Sequence, residues 1–311
     1  MKILITCPPM LGMIDSFRHI FTEKGIELSA PNVVQTMSIK ELKEIVPQHD
    51  GWIIGDDPAT REVFEAGKAG NLKAAVKWGI GVDNVDFDAC KDLNIPIINT
   101  PNMFGREVAD VAMGYVIALA RETYEIDRAV RKGDWIKPRG ISLSGKKVAI
   151  VGFGDIGQST AKRLLASDMK VIAYDPYANS NPKLPEVQIE VWPNRIEECD
   201  FIVITCALTQ SSFHLVNADV FELVKNGVRI VNVGRGPIVD EESLEEALKS
   251  GKVYSAALDV FEVEPLPMDS YLRTHSHCIF GSHNASNTAD AVERTSHIAI
   301  DKLFNFLKIT K

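Results

Sequence analysis

Three residues in the last quarter of the chain carry side chains that together could protonate and stabilise a carbonyl oxygen. Arg235 supplies a permanent forked cation, His283 an imidazole that exchanges protons near neutral pH, and Glu264 a carboxylate that can orient the imidazole. Each residue alone has an ordinary structural explanation. Their shared context favours chemistry, because each lies at or just past a predicted strand end, where open parallel sheets bind ligands.

A glycine-rich segment upstream of these residues predicts a dinucleotide site. An apolar, β-branched strand pattern at residues 147–151 precedes it, and helical periodicity at residues 156–169 follows it. In this context Gly152 permits the tight turn, Gly154 lets the backbone approach a pyrophosphate, and Gly157 lets the helix pack closely on the strand. The complete pattern consists of Gly152, Phe153, Gly154, Asp155, Ile156 and Gly157.

Asp175 indicates which dinucleotide is bound. It ends the next predicted strand, residues 170–174, and lies 18 residues beyond Gly157. A carboxylate there accepts hydrogen bonds from ribose hydroxyls and repels the 2′-phosphate of NADP, so NAD is the expected cofactor. The alternative is a glycine turn in an unrelated α/β domain, with Asp175 as a cap or turn residue. A hydride carrier placed before a cation, a carboxylate and an imidazole predicts reduction of a 2-oxo acid.

Composition favours a two-domain enzyme and excludes several other classes. The chain has 311 residues, 45% of them hydrophobic, and a net charge of −8, which argues against nucleic acid or anionic membrane as partners. The five cysteines form no CxxC pair and suit a reducing cytoplasm. The first residues lack the apolar core of a signal peptide, and the longest apolar stretch, near residues 111–120, is too short to span a bilayer. We therefore expect a cytoplasmic protein.

Alternating strand and helix patterns predict an α/β fold with two doubly wound parallel-sheet domains. Residues 1–100 form the substrate-binding domain, completed by the C-terminal helical segment 286–311, and residues 101–285 form the cofactor domain. One continuous helix is predicted from residue 106 to about residue 132. The first domain has predicted strands at residues 3–6, 52–54, 74–77 and 97–99 and predicted helices at residues 13–24, 38–45 and 62–67.

Five segments resemble the D-isomer-specific 2-hydroxyacid dehydrogenases, most closely the branch of phosphoglycerate dehydrogenases and hydroxypyruvate or glyoxylate reductases. The resemblance implies a flavodoxin-like substrate domain, a Rossmann cofactor domain, NAD, and a small 2-oxo or 2-hydroxy acid as substrate. It also implies that Arg235, Glu264 and His283 are the catalytic residues. The segments are residues 79–86, 99–102, 152–157, 231–240 and 259–265.

The resemblance implies further roles. The backbone amides of Trp78, Gly79, Ile80 and Gly81 would hold the substrate carboxylate, with Trp78 also forming a wall of the pocket. Family members are usually dimers, so a homodimer is expected, with residues 106–135 as the connecting arm. A regulatory C-terminal domain is expected to be absent. Asn102 and Arg106 would complete the substrate site, and Thr209, Val233, Gly234 and Asp259 the cofactor site, where Asp259 contacts the nicotinamide carboxamide.

Two departures from the family pattern bear on function. Asp56 and Asp57 lie near the point where phosphoglycerate dehydrogenases often place an arginine for the substrate phosphate. Phosphoglycerate is therefore in doubt as a substrate, unless a cation at Arg106, Lys137 or Arg139 compensates. In addition, Gly281 and Ser282 replace the usual Thr-Pro before His283, and we expect this loop to be less stiff.

Other functions on this fold remain open from the sequence. One is a non-catalytic NAD-sensing protein, which the retention of all three catalytic residues disfavours. Another is formate or phosphite oxidation, although formate dehydrogenases carry a glutamine where this chain has Glu264. No metal site is expected, because no constellation of carboxylates or cysteines accompanies His275 and His277.

Overall fold

The computed structural model describes residues 1–178, 181 and 183–309, which form two compact units. The first unit contains Met1–Met103 and the chain from Asn287, and the second contains Phe104–Ser286. The divisions fall three residues after the predicted boundary at residue 100 and one residue after the predicted boundary at residue 285.

The first unit is built on a five-stranded parallel sheet with the order β2-β1-β3-β4-β5, which is the flavodoxin-like order. The order reverses between β1 and β3, so the carboxyl ends of these two strands flank the crevice where such sheets bind ligands. The strands are β1 (Lys2–Ile5), β2 (Glu27–Ser29), β3 (Gly51–Ile54), β4 (Ala74–Lys77) and β5 (Ile97–Asn99), and the helices are α1 (Pro8–Gly12), α2 (Arg18–Thr22), α3 (Ile39–Ile45), α4 (Arg61–Ala69) and α5 (Phe87–Asp92).

The helix predicted at residues 13–24 is wrong in its extent. A 3₁₀ turn, Ile14–Ser16, and the short helix α2 take its place, and α1 begins earlier at Pro8, whose fixed φ suits a first helical turn. The strand β2 and the helix α5 were not predicted. The C-terminal helix, Ala289–Phe306, belongs to this unit and packs against β3 and β4.

The second unit is built on a seven-stranded parallel sheet with the order β12-β11-β10-β9-β6-β7-β8. This is the Rossmann order extended by one strand, and it reverses between β6 and β9. The strands are β6 (Lys147–Val151), β7 (Lys170–Tyr174), β8 (Gln188–Glu190), β9 (Phe201–Ile204), β10 (Val228–Asn232), β11 (Val253–Leu258) and β12 (Cys278–Phe280), and the helices are α6 (Gly105–Arg121), α7 (Thr123–Lys132), α8 (Asp155–Leu165), α9 (Ala218–Leu223) and α10 (Glu241–Lys249).

The continuous helix predicted from residue 106 to about residue 132 is interrupted at Glu122. This residue has a left-handed backbone, with φ 53°, and separates α6 from α7. Glu122 is buried, and its carboxylate accepts a hydrogen bond from the Tyr254 hydroxyl at 2.8 Å. In α7, the Arg128 guanidinium donates to the carbonyl oxygens of Ser276 and Cys278 at 3.0 and 3.1 Å.

None of the described helices is both long enough and apolar enough to cross a bilayer.

Candidate active site

His283 and Glu264 are in direct contact in the second unit. His283 follows β12 with a left-handed backbone, φ 54°, and its Nδ1 lies 2.8 Å from Glu264 Oε2. The second carboxylate oxygen of Glu264 accepts from the Phe261 N–H at 3.0 Å, which fixes the plane of the carboxylate. A carboxylate on Nδ1 makes that nitrogen the donor, so a proton exchanged with a ligand would pass through Nε2. The side chains of His283 and Glu264 are 23% and 22% exposed, accessible but not fully solvated.

Asp259 holds the backbone of His283 and of the two residues that follow it. It is 3% exposed, and its carbonyl oxygen accepts from the His283 N–H at 2.6 Å. Its carboxylate accepts from the N–H groups of Asn284 at 3.3 Å and Ala285 at 2.9 Å. This role in positioning His283 was missed from the sequence, since it depends on residues about 25 positions apart. The predicted contact of Asp259 with nicotinamide stays a prediction.

Arg235 lies just beyond the carboxyl end of β10, in a loop that packs on the loop of Glu264. The side chain of Asn232 bends this loop by donating to the Arg235 carbonyl oxygen at 2.9 Å. A Cβ at Gly236 would overlap the backbone carbonyl of Phe261, so the two loops touch backbone to backbone. Only glycine permits this approach, which brings the segments carrying the cation and the carboxylate together.

The glycine turn fits a dinucleotide. Gly152 has φ 95°, and a Cβ there would lie 2.5 Å from the Cys206 Cα, while a Cβ at Gly157 would overlap the backbone of Gly152. Gly154 differs from both, because it is exposed and a Cβ would meet nothing within 4 Å. Gly154 is also the N-cap of α8, and its position provides no side-chain cap for the first N–H groups of that helix. Open space beside uncapped N–H groups is what a pyrophosphate requires.

Asp175 is held close to this turn. Its Oδ2 accepts from the Phe153 N–H at 2.8 Å, and its Oδ1 accepts from the Tyr177 N–H at 2.9 Å. Each carboxylate oxygen can accept a second hydrogen bond, so these contacts orient the group and still allow it to accept from ribose hydroxyls. The other predicted cofactor residues follow strands of the same sheet: Asp155 and Ile156 in the first turn of α8, Thr209 in the loop after β9, and Val233 and Gly234 after β10.

The predicted substrate loop lies in the first unit, and part of its assignment needs correction. The Trp78 N–H donates to the Ile54 carbonyl at 2.9 Å, and the Gly79 N–H donates to Thr100 Oγ1 at 2.8 Å. These two amides therefore cannot hold a carboxylate as predicted. Across the described residues, the N–H groups of Ile80 and Gly81 meet no protein acceptor, so they are the remaining candidates.

The Trp78 side chain does not form a wall of an open pocket in this unit. Its ring is only 5% exposed, and Nε1 donates to Ser296 Oγ of the C-terminal helix at 3.1 Å. Asn102 is exposed in the first unit, with φ 60°, whereas Arg106 is exposed in the first turn of α6 in the second unit. Their joint contact with a substrate stays a prediction.

Two charged groupings were missed from the sequence because they join distant residues. Lys77 is buried beside Asp56 in the first unit. In the second unit, His214 Nε2 lies 2.8 Å from Glu262 Oε1, and His214 Nδ1 lies 3.9 Å from Asp240 Oδ2. The latter is the one group of three potential metal ligands found in the described part of the chain. The imidazole joins two carboxylates through different nitrogens, which explains the arrangement without an ion.

Comparison with known proteins agrees with this geometry. The family described as D-isomer specific 2-hydroxyacid dehydrogenase, NAD binding domain, matches residues 113–285. A hydroxypyruvate reductase from Thermotoga maritima is 39% identical over 275 residues, covering 86% of this chain and 88% of that protein. A D-3-phosphoglycerate dehydrogenase from Archaeoglobus fulgidus is 33% identical over 99% of this chain, which spans 58% of that protein's length. The TT0316 protein from Thermus thermophilus superposes with a TM-score of 0.88 at 28% identity, covering 99% of this chain and 97% of that one.

The comparisons confirm the predicted fold, the cofactor NAD and the predicted branch of the family. The family match covers more than half of the chain, and the Thermotoga relative aligns with it over most of both lengths. The chain therefore belongs to the D-isomer-specific 2-hydroxyacid dehydrogenase family and is an NAD-dependent enzyme.

Proposed function

We propose that this enzyme interconverts a small 2-oxo acid and its 2-hydroxy acid, with His283 as the proton donor and acceptor. The observation that carries the proposal is the 2.8 Å contact between His283 Nδ1 and Glu264 Oε2, in a member of this family. The carboxylate favours the protonated imidazole and fixes its tautomer. A permanently positioned acid of this kind contributes about 10²–10⁴-fold to proton transfer.

The residues of the second unit divide the chemistry at the carbonyl group. NADH, when bound, supplies a hydride to the carbonyl carbon. His283 Nε2 delivers the proton to the oxygen, and Arg235 stabilises the negative charge that develops there. In the oxidative direction His283 removes the hydroxyl proton, and Glu264 stabilises the imidazolium that results. In the first unit, the N–H groups of Ile80 and Gly81 bind the substrate carboxylate.

The candidate substrates are the acids that appear in the names of the relatives. The Thermotoga relative is a hydroxypyruvate reductase and the Archaeoglobus relative a D-3-phosphoglycerate dehydrogenase. Both act on three-carbon acids with a C3 oxygen, and glyoxylate is the smallest 2-oxo acid to include beside them. Hydroxypyruvate, glyoxylate and 3-phosphohydroxypyruvate, the 2-oxo acid formed from phosphoglycerate, can each be followed by NADH oxidation at about 340 nm.

The catalytic assignments are tested by removing each side chain. His283→Ala and Arg235→Ala should each lower kcat/KM at least ~10²-fold. His19→Ala, which removes an exposed imidazole from the first unit, is the matched control and should leave the rate unchanged. A variant with a near-normal rate removes that residue from its role. NADH binding without turnover of any 2-oxo acid would favour the NAD-sensing alternative.

Asp175 is proposed to select NAD over NADP. Asp175→Ala removes the carboxylate that would repel a 2′-phosphate, so the ratio of kcat/KM for NADH to that for NADPH should fall. Measuring both cofactors with one 2-oxo acid gives the ratio directly. An unchanged ratio would contradict the ribose role.

We also propose that two copies associate through residues 106–135. Apolar side chains are unusually exposed along and just beyond this segment, with Val130 45%, Trp135 80% and Ile136 37% exposed. Trp135→Ser should shift the mass measured by light scattering towards the monomer, and an unchanged dimer or a monomeric wild type would contradict this interface.

A cytoplasmic location is proposed as well, supported by the five cysteines, all of which are free thiols.

A further inference from the structure

A buried lysine and a partly exposed aspartate form an ion pair at the carboxyl edge of the first unit's sheet. The Lys77 side chain is 3% exposed, and its ammonium lies 3.0 Å from Asp56 Oδ1. The same ammonium donates to the carbonyl oxygens of Gly55 at 2.7 Å and Trp78 at 3.1 Å. Three acceptors account for all three donors of the ammonium. The cation is therefore fully engaged within the protein and neutralised by Asp56.

The neighbouring aspartate, Asp57, is turned into the protein. Its Oδ2 accepts from the Thr6 hydroxyl, and its Oδ1 accepts from the Met37 N–H at 2.8 Å. Burial raises the pKa of this carboxyl group, and the residue is fully buried. Asp56 differs, because 40% of its side chain is exposed. Of the two acidic residues after β3, only Asp56 can present its charge to a ligand.

The position of Asp56 is the ligand-binding crevice of this sheet. It follows β3, which with β1 flanks the point where the strand order reverses. The turn is tightly packed there, since a Cβ at Gly55 would lie 2.8 Å from the Cys7 Cα. On the other side, Lys77 Nζ lies 3.6 Å from the position of a Cβ at Gly79. One ammonium group thus separates the Asp56 carboxylate from the loop whose Ile80 and Gly81 amides are the carboxylate anchor.

We propose that the Lys77–Asp56 pair restricts the enzyme to unphosphorylated 2-oxo acids with a small neutral C3 group, of which a hydroxyl is the best match. The inference rests on the proposed function, because it concerns the other end of the same substrate. An acid anchored on the loop places its C3 group towards Asp56, which accepts a hydrogen bond from a hydroxyl. A phosphate or second carboxylate there would face the negative charge of Asp56, with the adjacent cation already engaged.

The test compares three substrates with three proteins. The substrates are hydroxypyruvate, 3-phosphohydroxypyruvate and pyruvate, and the proteins are the wild type, Asp56→Asn and Asp88→Asn. The asparagine amide in the first variant keeps an oxygen for Lys77 and removes only the charge. Asp88→Asn removes the same charge from an exposed position in α5 and is the matched control.

The wild type should prefer hydroxypyruvate to 3-phosphohydroxypyruvate by at least ~100-fold in kcat/KM, because the phosphate meets the exposed Asp56 carboxylate while the Lys77 ammonium is buried behind it. Asp56→Asn should reduce this preference at least ~10-fold, through faster turnover of the phosphorylated acid, since it leaves the Lys77 charge unbalanced. Turnover of pyruvate, which has no C3 charge, shows that the Asp56→Asn variant is folded. Asp88→Asn should match the wild type with every substrate.

Two outcomes would overturn the inference while leaving the proposed function intact. One is a wild type that turns over the phosphorylated acid as well as or better than hydroxypyruvate. The other is an Asp56→Asn enzyme that is active on pyruvate but keeps the wild-type preference ratio. Absence of turnover with all three acids would instead overturn the proposed function, and the inference with it. The wild-type ratio decides the matter even if the Asp56 variant does not fold.

Discussion

Replacing Gly154 by alanine should separate cofactor binding from folding. A Cβ at this position meets no protein atom within 4 Å, and the backbone, φ −75° and ψ −155°, is one that alanine can adopt. Fewer unfolded conformations should stabilise the protein by about 0.4–1 kcal/mol. The melting temperature should rise by about 1–4 °C.

Cofactor affinity should change in the opposite direction. The added methyl group fills the open space beside the first N–H groups of α8, where the pyrophosphate must approach. Losing one charge-assisted hydrogen bond costs about 1.5–3 kcal/mol, which corresponds to a Kd for NADH about 10- to 150-fold higher. Titration of NADH fluorescence measures the Kd, and differential scanning fluorimetry measures the melting temperature.

Gly152→Ala provides the contrast. With φ 95° and a Cβ 2.5 Å from the Cys206 Cα, alanine there is strained by about 1–3 kcal/mol before any clash is relieved. This variant should therefore lose both stability and NADH affinity. If Gly154→Ala bound NADH within about threefold of the wild type while remaining folded, the turn would not hold the pyrophosphate as proposed.

Three further perturbations test other parts of the structure. Glu264→Gln should lower kcat/KM about 10- to 150-fold, because an amide has one acceptor oxygen and cannot accept from both His283 and the Phe261 N–H. A rate within a factor of about two of the wild type would refute this. Burial raises the pKa of Cys206 to about 12, so iodoacetamide should alkylate this thiol at least ~10²-fold more slowly than free cysteine at neutral pH. Mass spectrometry measures the rate, and rapid labelling would contradict the burial. Burial raises the pKa of Glu241 above its ordinary 4.5, and the charge of the neighbouring Glu262 adds to this shift. The stability tied to a raised carboxyl pKa is complete at acid pH and declines as the pH rises through that pKa. Glu241→Gln should therefore raise the melting temperature at pH 7 and lose that advantage below about pH 4; a gain independent of pH would show another cause.

Elements with strong local signals could be predicted from the sequence. The β-branched run of β6, the glycine turn and the helix α8 are each specified by neighbouring residues, and the structure places them in the predicted order. β2 was not predicted because its three residues contain a single apolar side chain, Leu28, and so show no hydrophobic pattern. The break at Glu122 has no glycine or proline to signal it. It is accompanied by a hydrogen bond to Tyr254, 132 positions away.

In the candidate site, too, local sequence signals could be predicted and long-range contacts could not. Residue types and strand ends predicted Arg235, Glu264 and His283, but the hydrogen bonds that position His283 come from Glu264, 19 positions earlier, and from Asp259. Asp259 acts on the backbone that follows His283, and the charge of Lys77 is balanced by Asp56, 21 positions earlier. Long-range partners also determine which amides of residues 78–81 donate within the protein. The sequence therefore proposed all four as carboxylate anchors, whereas the structure keeps only Ile80 and Gly81 as candidates.

The Arg128 guanidinium has a consequence for solubility. β12 is the last strand on its side of the seven-stranded sheet, so one row of its backbone groups would be open to pairing with another protein. The carbonyl oxygens of Ser276 and Cys278 are in that region, and both already accept from Arg128. A positively charged side chain occupying two acceptors of an edge strand leaves no continuous template for an added strand. The helix α7 thereby protects the cofactor unit against edge-to-edge aggregation.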